Sequence, residues 1–360
     1  MPVKGYFAKL ICKGLHEQMA YPGQRVTASD VAKAVGVHVS TVSRAMNPQT
    51  RGLVADEVAE RVLAAAAALG YSPNSLAAGL RTRRSFTVGV VLPDITNPVF
   101  PPILGGIQDA LEAEGYVPIV ADAGPEAARR ETVVERMLAR QVDGLILATS
   151  RRRDPVLDFC RTRGIPLVLV NRVAEDAGFS GVVSDDRRGM RLAVEHLAAL
   201  GHRAIGHVAG PQDLSTGHGR LQGFLAAMAD HGLAVPPGAV VEAGAYSREQ
   251  GRLATAALLA QAPELTAIVA ANDLLALGCY DALRAAGRRC PQDLSVVGHN
   301  DMPLVDMVDP PLTTVRIRHH EMGAEAARLL LRQIAGAAEG FDVVLRPDLV
   351  VRASTAPIGT

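Results

Sequence analysis

The sequence lacks the features that define several large classes of protein. No stretch approaches the roughly 20 apolar residues that a membrane-spanning helix requires, so we expect no membrane partner. The cysteines show neither CxxC nor metal-ligand spacing, which predicts reduced thiols and no bound metal; they are Cys12, Cys160, Cys279 and Cys290. The net charge is +0, so the whole chain carries no excess of positive charge that would indicate a nucleic acid partner.

Motifs of the common enzyme classes are missing as well. No GxGxxG follows a strand, and neither GxxxxGK[ST], GxSxG nor HExxH occurs. Residues 215–220, STGHGR, bring Ser, His and Arg together, but they lack the positioned base and oxyanion donors that a nucleophile requires. We therefore predict that the chain is not an enzyme and needs no cofactor.

Residues 1–24 match no motif. Lys4, Lys9 and Lys13 interrupt the only weakly apolar segment there, and no small-residue cleavage site follows. We therefore do not expect secretion; we expect a cytoplasmic, nucleoid-associated protein. We expect a flexible N-terminal extension, or an upstream start codon with the usual start at Met19. A small regulatory arm is the alternative.

Charge is distributed unevenly along the chain. Between Arg25 and Arg84 there are eight basic and four acidic residues, whereas the remainder beyond Arg84 has an acidic excess. A basic N-terminal part can contact phosphates, while an acidic body stays off DNA. With 360 residues and 48% hydrophobic content, the chain can bury one large or two medium cores and a small module.

Residues 25–47, RVTASDVAKAVGVHVSTVSRAMN, read as two short helices that meet at a glycine. Thr27 and Asp30 form a capping-box-like start, and Gly36 permits a sharp turn. In the second helix, from about Val39 to Met46, small and hydroxyl side chains project, which suits a helix lying in a DNA major groove. Any helical hairpin is the alternative for this pattern alone. An alanine-rich run at 53–70 then predicts a third helix that ends at a glycine.

Motifs in the rest of the chain are more specific. TVSRAMN, ERVLAAAAALGYSPNSLAAGLRT, VGVVLPDITNP, VDGLIL, LAVEHLAALGHR, AIVAANDLLALG, DLSVVG and DPPLTTVR occur in this order. From Arg25 to Pro357 the chain thereby resembles the lactose-repressor (LacI/GalR) family of bacterial transcription regulators. The resemblance implies a small all-α helix-turn-helix DNA-binding domain, at 25–71, and an α/β two-lobed periplasmic-binding-protein-like domain with doubly wound parallel sheets, at 86–360.

Residues 72–85 are predicted to form a hinge helix and linker. The segment from Asn74 to Leu80 is long enough for only two turns, so we expect it to order when two copies pack on DNA. By resemblance, Leu80 wedges into a base step and Ala77 packs nearby; packing of Leu80 against the body is the alternative. Gly79 and His38 depart from the family pattern and put affinity in doubt. The predicted DNA-binding residues are Thr27, Val39, Ser40, Thr41, Ser43, Arg44, Asn47, Ala77 and Leu80.

From residue 86 onward, β-branched apolar runs alternate with helical stretches, which predicts parallel sheets covered by helices on both faces. We assign lobe 1 to about 86–183 plus 316–342, and lobe 2 to about 184–315 plus 343–356. The resemblance implies three crossings between the lobes and a ligand cleft at the hinge. Ligands of such sheets bind beyond the carboxyl ends of the strands.

The loops after the predicted strands carry amides, carboxylates, arginines and aromatic rings, which suit a polyol or a carboxylate. For each of these residues a helix cap or a contact between lobes is an open alternative. The resemblance places Phe100, Asn171, Arg220, Tyr246, Asn272 and Asn300 in the effector cleft. The full predicted set is Asp94, Asn97, Phe100, Asn171, Arg172, Arg220, Tyr246, Asn272 and Asn300.

One departure bears on the ligand. Sugar-responsive relatives carry an aromatic residue and two aspartates where this chain has His299, Asn300 and Asp301. With Arg172 and Arg220 nearby, the effector is expected to be a sugar or a small anionic metabolite. We predict a ligand-responsive repressor that binds a pseudo-palindromic double-stranded DNA operator as a homodimer; a solute-binding receptor without a DNA role is the alternative.

Overall fold

The structure, a computed structural model, describes residues 26–47, 50–72, 84–124, 126–175, 178–337 and 340–358. The chain divides into two compact units, Met1–Arg83 and Arg84–Thr360. The predicted extension and most of the predicted hinge, including Ala77 and Leu80, lie outside the described residues. Within the described part of the chain, no helix has both the length and the apolar character needed to cross a membrane.

The first unit contains three helices around a small apolar core. Helix α1 (Ala28–Val35) ends at Gly36, whose φ of 73° places it in the left-handed region and lets the chain turn sharply into helix α2 (Val39–Met46). Helix α3 (Asp56–Leu69) closes the bundle. The buried residues are Val31, Ala32, Val35, Val42, Ala45, Ala59, Val62 and Ala66.

The second unit begins with a lobe built on a six-stranded, all-parallel sheet. Its buried strands are β-branched runs, as expected for strands covered on both faces. With β11 at Val343–Leu345, the strand order is β11-β5-β4-β3-β1-β2. In chain order the elements are β1 (Thr87–Leu92), α4 (Phe100–Glu112), β2 (Val117–Asp122), α5 (Ala127–Ala139), β3 (Gly144–Leu147), α6 (Pro155–Thr162), β4 (Leu167–Val170) and β5 (Ser180–Ser184).

A second six-stranded sheet forms the other lobe, with the order β12-β10-β9-β8-β6-β7. All its strands are parallel except β12, which pairs antiparallel with β10. The elements are α7 (Asp186–Ala199), β6 (Ile205–Ala209), α8 (Ser215–Asp230), β7 (Val240–Glu242), α9 (Arg248–Gln261), β8 (Ala267–Ala270), α10 (Asp273–Ala285), β9 (Ser295–Asn300) and β10 (Thr313–Arg316); then follow α11 (His319–Ile334), β11 (Val343–Leu345) and β12 (Asp348–Val350). The two predicted doubly wound lobes are confirmed.

The chain passes between the lobes three times, after β5, after β10 and after β11. Our prediction was wrong about the last passage: it placed residues from 343 onward in the second lobe. Strand β11 instead pairs in parallel with β5 of the first sheet, Val343 lying opposite Val182. The passage therefore lies at Arg346 and Pro347, immediately before β12. Strand β11 has only three residues, a half-buried, an exposed and a half-buried one. So short a pattern does not indicate from the sequence which sheet the strand joins.

Helix α11 returns to the first lobe and packs closely on α4. A Cβ atom added to Gly106 would lie 1.9 Å from the carbonyl oxygen of His320, and one added to Gly323 would lie 1.9 Å from that of Ile103. Such distances are far inside van der Waals contact, so both glycines are required for this helix approach. The contact buries one face of the first sheet.

Candidate DNA-binding surface and effector cleft

Helix α2 has one buried and one exposed face. Val42 and Ala45 are 0% and 2% exposed and anchor the helix in the three-helix core. The Arg44 guanidinium makes no hydrogen bond or ion pair with any residue that the structure describes, so its donors are available to another molecule. The opposite face consists of Val39, Ser40, Ser43 and Arg44, with Thr41 half-buried.

Both helices of the turn motif begin with a side-chain cap. The Asp30 carboxylate accepts hydrogen bonds from the backbone N–H and the hydroxyl of Thr27, at 2.9 and 2.7 Å. At the start of α2, the ring Nδ1 of His38 accepts from the backbone N–H of Ser40 at 3.2 Å. His38 therefore replaces the expected serine as a functioning cap. At the other end, the backbone N–H of Asn47 donates to Arg44 at 3.3 Å.

Arg220, on α8, is the centre of the polar cluster in the second lobe. It is 2% exposed, and its Nε donates to Asp186 Oδ1 at 2.8 Å. Nη1 donates to the carbonyl of Ala271 at 2.7 Å, and Nη2 to Asn300 Oδ1 at 3.3 Å. Burial opposes the charge, but the Asp186 carboxylate raises the pKa of Arg220. The three partners hold the guanidinium in one orientation at the carboxyl ends of β8 and β9.

Arg172 reaches the same region from the first lobe. Its side chain follows β4, it is 9% exposed, and its Nε has no hydrogen-bond partner among the described residues. Burial lowers the pKa of Arg172 to about 10, and three groups of the second lobe, Tyr246, Arg220 and Asp213, are close enough to act on it electrostatically. Arg172 is therefore a buried cation that faces groups of the opposite lobe.

Two asparagines of the predicted site adopt unusual backbone conformations. Asn171, before Arg172, has a φ of 65°, and Asn300, at the end of β9, has a φ of 116°. Asparagine tolerates the left-handed region better than most residues, and strained positions of this kind concentrate at functional sites. The backbone N–H of Asn171 donates to Val182 at 2.8 Å, which ties the bend to β5.

Hydrogen bonds join the two lobes along one rim of the cleft. The backbone N–H of Arg152 donates to the carbonyl of Asp213 at 2.9 Å, and that of Val173 donates to Ser215 Oγ at 3.0 Å. The side chains of Arg151 and Asp213 form an ion pair at 2.5 Å. These contacts hold the lobes together beside the polar cluster, and sequence analysis did not predict them.

Three predicted effector residues accept local backbone hydrogen bonds in the structure. Asp94 is exposed and accepts from the backbone and hydroxyl of Thr96, and Asn97 Oδ1 accepts from Val99. The side chain of Asn272, 3% exposed, accepts from the backbone N–H of Leu275 at the start of α10. Asn272 therefore caps α10, the role that had been the alternative, whereas Asp94 and Asn97 make local turns in the loop before α4.

The aromatic residues of the predicted site differ from each other. Phe100 is 1% exposed and belongs to the hydrophobic core of the first lobe. Its ring is enclosed between α4 and the sheet, so in this structure Phe100 does not present a ring face to a ligand, as had been expected. Tyr246 lies with the polar cluster and donates to Thr216 Oγ1 at 3.2 Å. Its hydroxyl occupies the space where a Cβ on Gly210 would lie.

Buried histidines lie near this cluster in the second lobe. His207 is 0% exposed; its Nδ1 lies 2.8 Å from the carbonyl of Val269, its ring stacks on Phe224 with centroids 4.7 Å apart, and its Nε2 has no partner among the described residues. Burial lowers the pKa of His207 to about 4. His299 is equally buried, with Nε2 3.5 Å from Asp186 Oδ1.

The shift at His207 predicts acid sensitivity. The unfolded chain takes up a proton near pH 6.5 and the folded chain only near pH 4, so the stability from this residue is present above pH 6.5 and is lost as pH falls towards 4. The loss is about 3 kcal/mol. Urea unfolding of wild type and His207→Asn between pH 7 and 4 checks this: the wild type should lose stability more steeply, and parallel curves would contradict it.

The partner of Arg220, Asp186, was not among the predicted site residues. Asp186 begins α7, directly after β5, and holds the guanidinium from a different helix. The sequence does show a pair of aspartates, Asp185 and Asp186, after a strand, but such a pair also fits a simple helix cap. Asp185 is that cap, since it accepts from the backbone N–H of Arg188 at 2.9 Å. Among the described residues, no group of three or more His, Cys, Asp or Glu side chains could hold a metal ion.

Comparisons with known proteins agree with this architecture. The family model described as bacterial regulatory proteins, lacI family, matches residues 27–74. The model described as periplasmic binding protein-like domain matches residues 194–355. The first match spans the three helices, and the second lies mostly in the second lobe and the returning segments.

Relatives align along nearly the whole chain. The HTH-type transcriptional regulator MalR of Streptomyces coelicolor is 36% identical over 337 residues, covering 91% of this chain and 96% of the relative. The structure of a transcriptional regulator CelR–cellobiose complex is 34% identical, with a TM-score of 0.71, covering 92% and 100% of the two chains. The lac repressor dimer bound to operator and the anti-inducer ONPF is 28% identical, with a TM-score of 0.81 and the same coverage. The chain therefore belongs to the LacI family of bacterial transcriptional regulators.

Proposed function

We propose that this chain is a ligand-responsive repressor that binds a pseudo-palindromic operator through α2 and a small-molecule effector between the lobes of its second unit. One observation carries the proposal, the combination of two features in one chain. Helix α2 exposes Arg44, whose guanidinium has no partner among the described residues, and the two-lobed domain holds a buried arginine in each lobe, Arg172 and Arg220, that act on each other electrostatically. A solute receptor would use the second unit but not α2. We further propose that the protein acts in the cytoplasm on the nucleoid.

Selection of DNA fragments by the full-length protein tests the DNA-binding role. We expect enrichment of sites with dyad symmetry, because two reading helices related by a two-fold axis contact two half-sites about one helical turn apart. Enrichment of unrelated fragments in proportion to their abundance would contradict the proposal. The genes next to the enriched sites would also indicate the regulated pathway.

We propose that Arg44 reads a base edge in the major groove. Arg44→Ala is expected to weaken binding to the selected site by about 1–3 kcal/mol while leaving salt-sensitive binding to random DNA. Lys33→Ala is the control: Lys33 is exposed on α1, so its loss should weaken binding to all sequences equally. Fluorescence anisotropy with both DNAs measures this. Equal losses on both DNAs for Arg44→Ala would exclude base reading.

The proposed DNA contacts extend beyond α2. Thr27, Thr41 and Asn47 lie at or beside the turn motif, and their hydroxyl and amide groups suit contacts with phosphate. We also propose that Ala77 and Leu80 act in a hinge, with Leu80 as the wedge at the centre of the operator. This part of the proposal rests on the sequence alone.

A homodimer is proposed because a pseudo-palindrome requires two reading helices. The second unit offers a surface for it: β2 is an edge strand, paired only with β1 among the described strands, and its Val117 and Val120 are 60% and 39% exposed. Exposed apolar edge strands of this kind are normally covered by a partner. The similar lac repressor structure is a dimer.

The effector is proposed to be a sugar or a small anionic metabolite. The similar CelR structure contains cellobiose. In this chain the amide of Asn300 and the guanidinium of Arg172 provide hydrogen-bonding groups near the cleft, with Asn171 and Tyr246 beside them. Because linkage requires only a difference in affinity between two lobe orientations, a ligand at this place can control DNA binding.

A further inference from the structure

Three arginines are buried among the described residues, Arg130, Arg172 and Arg220, and two of them have an acidic partner. Arg172 is the exception among the described residues. It forms no ion pair, its side chain donates no hydrogen bond there, and it is 91% buried, being 9% exposed. The two paired arginines are Arg130 with Asp154 at 3.8 Å and Arg220 with Asp186 at 2.8 Å.

No carboxylate of the described residues forms an ion pair with Arg172. The buried Asp273 turns towards β10: it accepts from the backbone N–H of Met302 at 2.8 Å and from Thr314 Oγ1 at 2.5 Å, and burial raises the pKa of Asp273 to about 7. Asn171, just after β4, and Asn300, at the end of β9, are neutral amides. Among the described residues, Arg172 therefore has no carboxylate partner of its own.

A buried, unpaired guanidinium has a definite requirement. A neutral hydroxyl can accept one of its hydrogen bonds, but it leaves the charge without a counter-charge in a poorly solvated place. A carboxylate or phosphate satisfies both needs, because its two oxygens match the fork of the guanidinium. Arg172 belongs to the first lobe and lies close enough to Tyr246 and Arg220 of the opposite lobe to be affected electrostatically, so an anion bound to it would lie between the lobes.

We propose that the effector of this protein is an anion, a small molecule with a carboxylate or phosphate group that Arg172 binds in the cleft. This proposal rests on one part of the proposed function, that a small molecule binds in the cleft. The rest of the ligand contacts the amide of Asn300 and the ring of Tyr246. The anion thereby bridges the lobes, since Arg172 belongs to the first lobe and the other two residues to the second.

Matched pairs of ligands test the charge directly. Thermal unfolding of the full-length protein is followed with ribose and ribose 5-phosphate, glucose and glucuronate, and galactose and galacturonate. At least one acid should raise the melting temperature more than its neutral partner, and the excess should shrink as salt concentration rises. If every acid matches its neutral partner, including the case in which neither binds, the proposal is wrong.

The variant Arg172→Gln tests whether Arg172 is the group that binds the acid. The ligand pairs that respond show whether the acidic group is a carboxylate or a phosphate. It is expected to weaken binding of the active acid by about thirtyfold or more and to remove its advantage over the neutral partner. Arg284→Gln is the matched control, because Arg284 lies on the surface of the same unit with 73% of its side chain exposed; it should bind like wild type. An unchanged advantage of the acid in Arg172→Gln would overturn the role of Arg172.

A second measurement needs no ligand. If Arg172 is unpaired in the free protein, Arg172→Met removes a buried charge and should raise the melting temperature in the absence of ligand. A fall in melting temperature would show that Arg172 already has a partner, which would contradict the proposal.

Operator binding, measured on the same samples, distinguishes a failure of the anion hypothesis from a failure of the repressor hypothesis. A protein that binds dyad-symmetric DNA and responds only to neutral sugars would refute the anion while leaving the repressor function intact. A protein that binds the acid but prefers no DNA site would refute the repressor function and leave the anion site in place.

Discussion

Replacing Arg220 by methionine is expected to lower the free energy of unfolding by about 3–5 kcal/mol and to abolish effector binding. Methionine fills much of the same volume but leaves Asp186 as a charge without its partner in a mostly buried place, which is the costly way to break an ion pair. The carbonyl of Ala271 and the side chain of Asn300 also lose their donor. The sequence contains no tryptophan, so urea unfolding should be followed by circular dichroism.

A double-mutant cycle identifies the cause of this loss. Adding Asp186→Asn to Arg220→Met should recover part of the stability, because it removes the unpaired charge. Asp186→Asn alone should cost less than Arg220→Met. If Arg220→Met costs less than about 1 kcal/mol, or if the two changes are additive, the buried pair does not stabilise the second lobe in the way proposed here.

Replacing Gly106 by alanine should destabilise the first lobe by about 3 kcal/mol or more. The added methyl group would lie 1.9 Å from the carbonyl oxygen of His320 and 2.9 Å from the backbone nitrogen of Ala324. Backbone atoms cannot rotate away as a side chain can, so α4 and α11 must separate. The same separation would expose apolar residues that cover the first sheet.

The neighbouring glycine provides the control. At Gly105 the nearest atom to an added Cβ is Cδ2 of His320, at 3.9 Å, so Gly105→Ala has space and should gain up to about 1 kcal/mol from helix propensity. The two variants have identical composition and differ only in which glycine is changed. Equal urea midpoints for Gly105→Ala and Gly106→Ala would show that the helices do not pack as closely as the structure indicates.

Much of the fold was predictable because it depends on local patterns. Gly36 and Gly70 marked the ends of helices, and buried β-branched runs such as 87–92 and 295–300 marked the parallel strands. The chain's path between the lobes was less predictable. Strand β11 pairs with β5, about 160 residues earlier in the chain, and its three residues carry no pattern that distinguishes one sheet from the other.

The site was predictable as a set of positions but not as a set of interactions. Arg172 and Tyr246 lie in loops after strands, Asn300 ends β9, and Arg220 lies in α8, the helix after β6; parallel topology brings such positions to one edge of each sheet. Whether a polar residue bonds to its own backbone or points to a ligand depends on side-chain directions that no spacing specifies. Asn272 caps α10, Asn97 makes a local turn, and Phe100 is enclosed in the core. The pair of Arg220 with Asp186 joins segments 34 residues apart, which only the folded chain brings together.

The arrangement explains how a small molecule can act on DNA binding. Arg172 and Arg220 come from different lobes, and the rim contacts of Arg152 and Asp213 join the lobes beside them. A ligand that contacts both lobes favours one relative orientation over another by the difference in its contacts. Any effect of that orientation on the DNA-binding unit is then a coupling free energy, and it must act equally in both directions.

This reciprocity provides the most direct measurement. The affinity of the full-length protein for its selected operator should be measured with and without a saturating effector, and the affinity for the effector with and without saturating operator. The account predicts that both affinities change by the same factor, about fivefold or more, in wild type, and that Arg220→Met shows no change in operator affinity on addition of effector. A factor of one in both titrations, with the effector and the operator each bound tightly, would contradict it.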